Sequence, residues 1–221
     1  MTLNLESKPT SMLNPDDEQE LEDELPQEQQ FFILGGSLFS IGFIVIAFGV
    51  GWGLGVSPLK DLNWNWNDLL IGTLAALPMF VFFLLAVKLR IPALQKIQQF
   101  LLDELGPRIA GGSILELFIL SIFIGLGEEM LFRGVLQSWS TQYGIVFAII
   151  FTNLIFGILH SITRLYVIIA TLMGVYLSLL LILFTPQNLL IPITTHTVYD
   201  FLCFLMIMHL YRRQVEAQSE T

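Results

Sequence analysis

The sequence predicts an all-α protein, a polytopic bundle of about six transmembrane helices with one further helix lying at the membrane interface. Three observations carry that expectation. Of 221 residues, 54% are hydrophobic and only 13% charged, with a mean hydropathy of +0.71; such a composition belongs to integral membrane proteins. Apolar runs of about 20 residues, the length that crosses a bilayer, recur along the chain. The basic residues and the tryptophans then sort to opposite sides of the spans those runs define.

Residues 1–30 precede the first run. They hold Glu6, Asp16, Asp17, Glu18, Glu20, Glu22, Asp23, Glu24 and Glu28 against Lys8 alone. This acidic stretch is expected to be a disordered cytoplasmic tail, and it lacks the basic and apolar regions of a signal peptide. The membrane domain is expected over 31–211, followed by a polar C-terminal tail at 212–221. Its first span covers about Phe31 to Gly55, where Gly49 and Gly53, and Gly51 and Gly55, have the spacing of close helix contacts. A polar loop from Lys60 to Asn67 carries Trp64 and Trp66, and the second span covers about Asp68 to Val87.

Residues 92–109 differ in kind. Leu94, Ile97, Leu101 and Leu105 recur at steps of three and four among polar residues, the pattern of an amphipathic interfacial helix. The third span runs from near Ile114 to about Trp139, the fourth from about Gly144 to Ile162 and the fifth from about Leu165 to Phe184. The segment Thr185-Pro186-Gln187-Asn188 breaks the helix, and the sixth span covers about Leu190 to Tyr211. Six spans place Lys8, Lys88, Arg90, Lys96, Arg108, Arg164, Arg212 and Arg213 on the side of both tails, and only Lys60 opposite. Both termini are therefore expected in the cytoplasm, the membrane being a bacterial inner membrane. Trp52, Trp64, Trp66 and Trp139 fall near the other face, as an aromatic belt does. The single cysteine, Cys203, excludes an internal disulfide. Nothing resembles a basic patch or a phosphate-cradling glycine loop, so no nucleic-acid or nucleotide partner is expected.

The chemistry sits where the chain is least polar. Gly127-Glu128-Glu129-Met130-Leu131-Phe132-Arg133 puts two carboxylates and a guanidinium inside the third span. One charge near a bilayer centre costs roughly 2.5–3.5 kcal/mol on insertion scales, so three together need a use. Glu129 and Arg133, at i and i+4, can pair on one face. Glu128 points about 100° away and has no local cation. His160, His196 and Asp200 are further polar residues inside apolar runs, with Phe156 one turn before His160 and His196 one turn before Asp200. Counting at 1.5 Å per residue from the Trp-rich side puts Glu128 about 17 Å deep, His160 about 24 Å, and His196 and Asp200 about 9 and 15 Å. A shared cavity for the four is compatible with that scatter.

Glu128-Glu129-x-x-x-Arg133, Phe156-x-x-x-His160 and His196-x-x-x-Asp200, in that order across about residues 114–210, resemble the CAAX prenyl endopeptidase and bacteriocin-processing (CPBP, or Abi) family of intramembrane proteases. The resemblance implies hydrolysis of a peptide bond, in a peptide or a prenylated protein, within the lipid environment. It implies Glu128 as the base that activates water, His160 as the residue that positions that water, and His196 and Asp200 as stabilisers of the oxyanion, with Glu129, Arg133 and Phe156 in support. The third motif ends in Asp200 where the eukaryotic-type members carry Asn. A metal reading stays open beside the metal-free one that we prefer: Glu128, His160, His196 and Asp200 would form a Zn2+ set, although no His-Glu-x-x-His helix occurs. Two non-proteolytic readings also stand, a non-catalytic immunity or scaffold protein of the membrane and a proton-coupled transporter. The sequence says nothing of oligomeric state.

Overall fold

The computed structural model describes residues 15–219, and no strand occurs among them. The helices follow the apolar runs closely, with differences at the ends that bear on the site. The first, α1 (Pro15–Leu54), begins well before Phe31. The acidic stretch expected to be disordered is thus helical from residue 15, and residues 1–14 lie outside the described part. Helices α2 (Trp66–Lys88), α3 (Pro92–Glu104) and the single turn α4 (Gly106–Ile109) follow.

Ser113 then caps α5 (Ile114–Glu129) by accepting the Glu116 N–H, while the Glu116 carboxylate accepts the Ser113 N–H. This reciprocal cap fixes where the third span starts and accounts for Glu116. The span does not continue as a regular helix. Met130–Gln137 is a π-helix, closed by the three-residue α6 (Ser138–Ser140). The remaining helices are α7 (Ile145–Leu159), α8 (Arg164–Leu183) and α9 (Leu190–Ser219).

Among the described residues four helices are long and apolar enough to cross a membrane: Phe31–Leu54 within α1, Trp66–Lys88, Arg164–Leu183 and Leu190–Ser219. The other two expected spans are of a different kind. Residues 114–140 form a composite of α, π and α turns. Helix α7 has only 15 residues, about 22 Å at 1.5 Å per residue and short of the roughly 30 Å hydrocarbon core. It stops at Leu159 rather than Ile162. At the other end of the chain, α9 continues through the expected C-terminal tail as far as Ser219.

Helix α9 is the hub. It packs on α2, α5 and α8, while α5 also packs on α1, and α7 pairs with α8 and the π segment. Gly125 of α5 lets two of these backbones close up: a Cβ there would stand 2.4 Å from Thr197 Oγ1 and 3.1 Å from the Ile193 carbonyl of α9. Small residues at helix crossings do this in membranes, where lipid tails supply no hydrophobic drive for association. Gly49 and Gly53, expected to make such a crossing, face open space.

The loops sort to two ends. Asn188 accepts from Asn63 N–H and donates to the Asn63 carbonyl and the Asp68 carboxylate, joining the α1–α2 loop to the α8–α9 loop. At the other end Gln29 donates to the Pro107 carbonyl and Arg212 to that of Ala110.

Candidate active site

Glu128 and Glu129 close α5 immediately before the π segment, and their side chains part company there. Glu129 is fully buried. Its Oε1 accepts from Arg133 Nη1 at 2.8 Å, one helical turn on, and from His196 Nδ1 of α9, also at 2.8 Å. The pairing with Arg133 is the one that i, i+4 spacing predicts. The bond to His196 has no signature in either segment. It follows from the close α5–α9 approach at Gly125, one turn before Glu129.

Arg133 is fully buried too. Beyond Glu129 its Nη2 donates to Asn153 Oδ1 of α7 at 3.0 Å and to the Gly174 carbonyl of α8 at 2.8 Å. Its guanidinium carbon lies 4.9 Å from the centre of the Phe156 ring. A charge without water is tolerated when paired and hydrogen-bonded in this way.

Glu128 has no such arrangement. Its side chain is 12% exposed, Oε2 has no hydrogen-bond partner, and the nearest cationic candidate is His160 Nε2 at 3.6 Å. His160 lies just past the end of α7 as its C-cap residue, not within the helix as the sequence predicts. It still meets Phe156. The rings stack with centroids 4.3 Å apart, and His160 Nδ1 lies 2.8 Å from the Phe156 carbonyl. A carbonyl only accepts, so Nδ1 carries the hydrogen and neutral His160 presents its Nε2 lone pair toward Glu128.

The second histidine is held the opposite way round. Nδ1 of His196 donates to Glu129, and Nε2 lies 3.5 Å from Asp200 Oδ2, one turn along α9. Glu128, Phe156, His160, His196 and Asp200 together line a cavity of about 310 Å³ with Tyr166, Tyr199 and apolar residues, among them Leu120, Ile124 and Phe204. The structure therefore brings the four polar candidates to one chamber. Glu129 and Arg133 stand behind its wall.

Asn188 and Leu189 are buried, at 3% and 1% exposure, so the start of α9 is covered by the α1–α2 loop end that Asn188 bonds. A second cavity of about 160 Å³ adjoins the first and shares Asp200, Tyr166, Tyr199 and Met173 with it. Leu94, Ile97, Leu101 and Leu105 of the amphipathic stripe line this second chamber, so the stripe closes a protein interior.

Among the described residues no group of three or more His, Cys, Asp or Glu is set as cation ligands, and His196 Nδ1 is bonded to Glu129 Oε1.

No curated protein and no solved structure matches the chain. A family does. Residues 110–202 match the family described as Type II CAAX prenyl endopeptidase Rce1-like, an interval that opens four residues before α5 and closes two residues after Asp200. It contains every polar residue of the chamber and the buried pair behind it. Within an integral membrane protein, residues 110–202 are thus similar to the Type II CAAX prenyl endopeptidase Rce1-like family.

Proposed function

We propose that this protein is an intramembrane endopeptidase in which Glu128 activates the attacking water. The observation that carries the reading is the unpartnered Glu128 Oε2 beside the free Nε2 of His160, in a chamber that His196 and Asp200 also line. At 3.6 Å the two atoms are too far apart to bond directly, and a water set to one side can lie about 2.8 Å from each. Glu128 takes a proton from that water as its oxygen bonds to the scissile carbonyl carbon. His196, carrying a proton on Nε2, donates to the developing oxyanion, and Asp200 orients it. When the C–N bond breaks, Glu128 returns the proton to the leaving amine. Glu129 and Arg133 hold His196 in place. The apolar second chamber, reached past Asp200, accommodates an apolar part of the substrate, which is a peptide or a lipid-modified protein. Both termini lie in the cytoplasm, in keeping with the lysine and arginine distribution.

The deciding experiment compares membrane peptides in cells making the wild-type chain with cells making Glu128→Gln at equal abundance. Peptides found only with the wild type are expected. Identical profiles would remove the protease reading. Glu128→Gln should lower the cleavage rate by about 10²–10⁴-fold, the usual contribution of a general base. Treating the purified chain with a chelator should leave cleavage unchanged, and a loss restored by added Zn2+ would move the chemistry to a metal.

A further inference from the structure

The guanidinium of Arg133 stands behind both histidines. Through Glu129 it reaches His196, each link being 2.8 Å. Through the face of Phe156, 4.9 Å from its carbon, it backs the ring that stacks on His160 at 4.3 Å. Whatever fixes that guanidinium therefore fixes the two imidazoles relative to each other. Glu129 supplies one restraint, and the others come from α7 and α8.

On α7, Asn153 is fully buried, and both of its amide hydrogens and its oxygen are engaged. Oδ1 accepts from Arg133 Nη2, while Nδ2 donates to Ser178 Oγ of α8 and to the Ile149 carbonyl, both at 2.8 Å. With two donors and the acceptor assigned, the amide has one orientation. On α8, the absence of a side chain at Gly174 makes the room: a Cβ there would come within 2.5 Å of Asn153 Oδ1 and 3.1 Å of Arg133 Nη2. Neither Asn153 nor Ser178 lines the chamber that holds Glu128, so neither touches substrate.

We propose that Asn153, oriented by Ser178, is a positioning residue: it sets the Arg133 guanidinium and so aligns His196 and His160, which both line the chamber. This rests on the proteolytic reading of that chamber, but its test need not. A polar residue that only joined helices would leave the histidine environments unchanged when replaced by an apolar one of similar size. A positioning residue would not, since a displacement of about 1 Å at a reacting group can cost about 10²-fold in rate.

The chain has three histidines, His160, His196 and the exposed His209, so ¹⁵N-histidine labelling of the full-length protein in detergent micelles gives one internal reference and two reporters. In Asn153→Leu the Nδ1–H resonance of His196 and the ring signals of His160 should shift, with His209 unmoved. Asn153→Asp, which keeps an acceptor for Arg133, should restore them in part. Tyr176→Phe removes a different bond between helices, from Tyr176 to the Ala75 carbonyl, and should move none of the three. Unshifted His160 and His196 signals in a folded Asn153→Leu protein would overturn the proposal. If that variant does not fold, Ser178→Ala, which removes only the acceptor for Nδ2, decides by the same signals. Accumulation of the Glu128-dependent peptides should fall in step with the shifts, by about 10²-fold in Asn153→Leu. Should no such peptides exist, the protease reading fails while the histidine signals still decide the role of Asn153.

Discussion

Two glutamates adjacent in sequence do opposite work because a helix turns about 100° between them. Each keeps one buried oxygen without a hydrogen-bond partner, but Glu128 lines the chamber, whereas Glu129 is enclosed between Arg133 and His196. Their replacement should therefore have different consequences. Glu128→Ala should leave the fold intact and abolish function. Glu129→Ala leaves Arg133 a buried charge that has lost its carboxylate, a loss of about 3–5 kcal/mol, and should lower the thermal unfolding midpoint in detergent sharply. Glu129→Gln keeps an acceptor for both neighbours and should fall between. Equal unfolding midpoints for Glu128→Ala and Glu129→Ala would contradict this division. Phe156 is an apolar counterpart: its ring separates the guanidinium from His160, and Phe156→Leu should weaken function more than stability, because hydrophobic swaps of similar volume usually cost under about 1.5 kcal/mol.

Among the elements, what could be read from sequence was what regular geometry carries. The apolar runs gave α2 and α8 to within two residues, and the stripe Leu94, Ile97, Leu101 and Leu105 gave α3. The pairing of Glu129 with Arg133 followed from one helical turn, and the meeting of Glu128, His160, His196 and Asp200 from the rarity of polar groups in apolar spans. Two features escaped, each because it departs from a helix that keeps 3.6 residues per turn to its expected end. These are the π segment after Glu129 and the early end of α7 that makes His160 a cap. The bond from His196 to Glu129 was hidden for another reason, since it depends on how closely two helices approach. Gly125 sets that approach. Gly125→Val should force α5 from α9, breaking the Glu129–His196 bond, and should reduce both the unfolding midpoint and function. A cysteine pair placed on the facing surfaces of α5 and α9 should then crosslink poorly; undiminished crosslinking would show that the helices do not need the glycine.

Considered as one body, the chain keeps its exposed polar chemistry at the ends and its concentrated polar chemistry inside. One end joins Asn63, Asp68 and Asn188, and the other brings Gln29, Pro107, Ala110 and Arg212 together. In a Cys203→Ser background, a cysteine at 96 or 213 should react with a membrane-impermeant maleimide only from the cytoplasmic side, and one at 60 only from the opposite side. Labelling of 60 and 96 from the same side would refute the alternating topology. The expected chambers lie toward the tail-bearing end, since Phe32, Gly36 and Leu105 line the first and the α3 stripe closes the second.

One consequence of the π-helical stretch Met130–Gln137 concerns insertions and deletions. A π turn carries more residues than an α turn of the same span, so this stretch holds slack where other spans have none. Removing a single residue there would let the segment tighten into ordinary helix while its two ends stayed where they are. Such a shortened chain should still insert and still purify, and yet lose the grip of Asn153 and Gly174 on the cation. Elsewhere in α5 the same deletion would turn everything beyond it by about 100°. Length variation in this family of folds would then be tolerated by the scaffold at the one place where the chemistry cannot tolerate it.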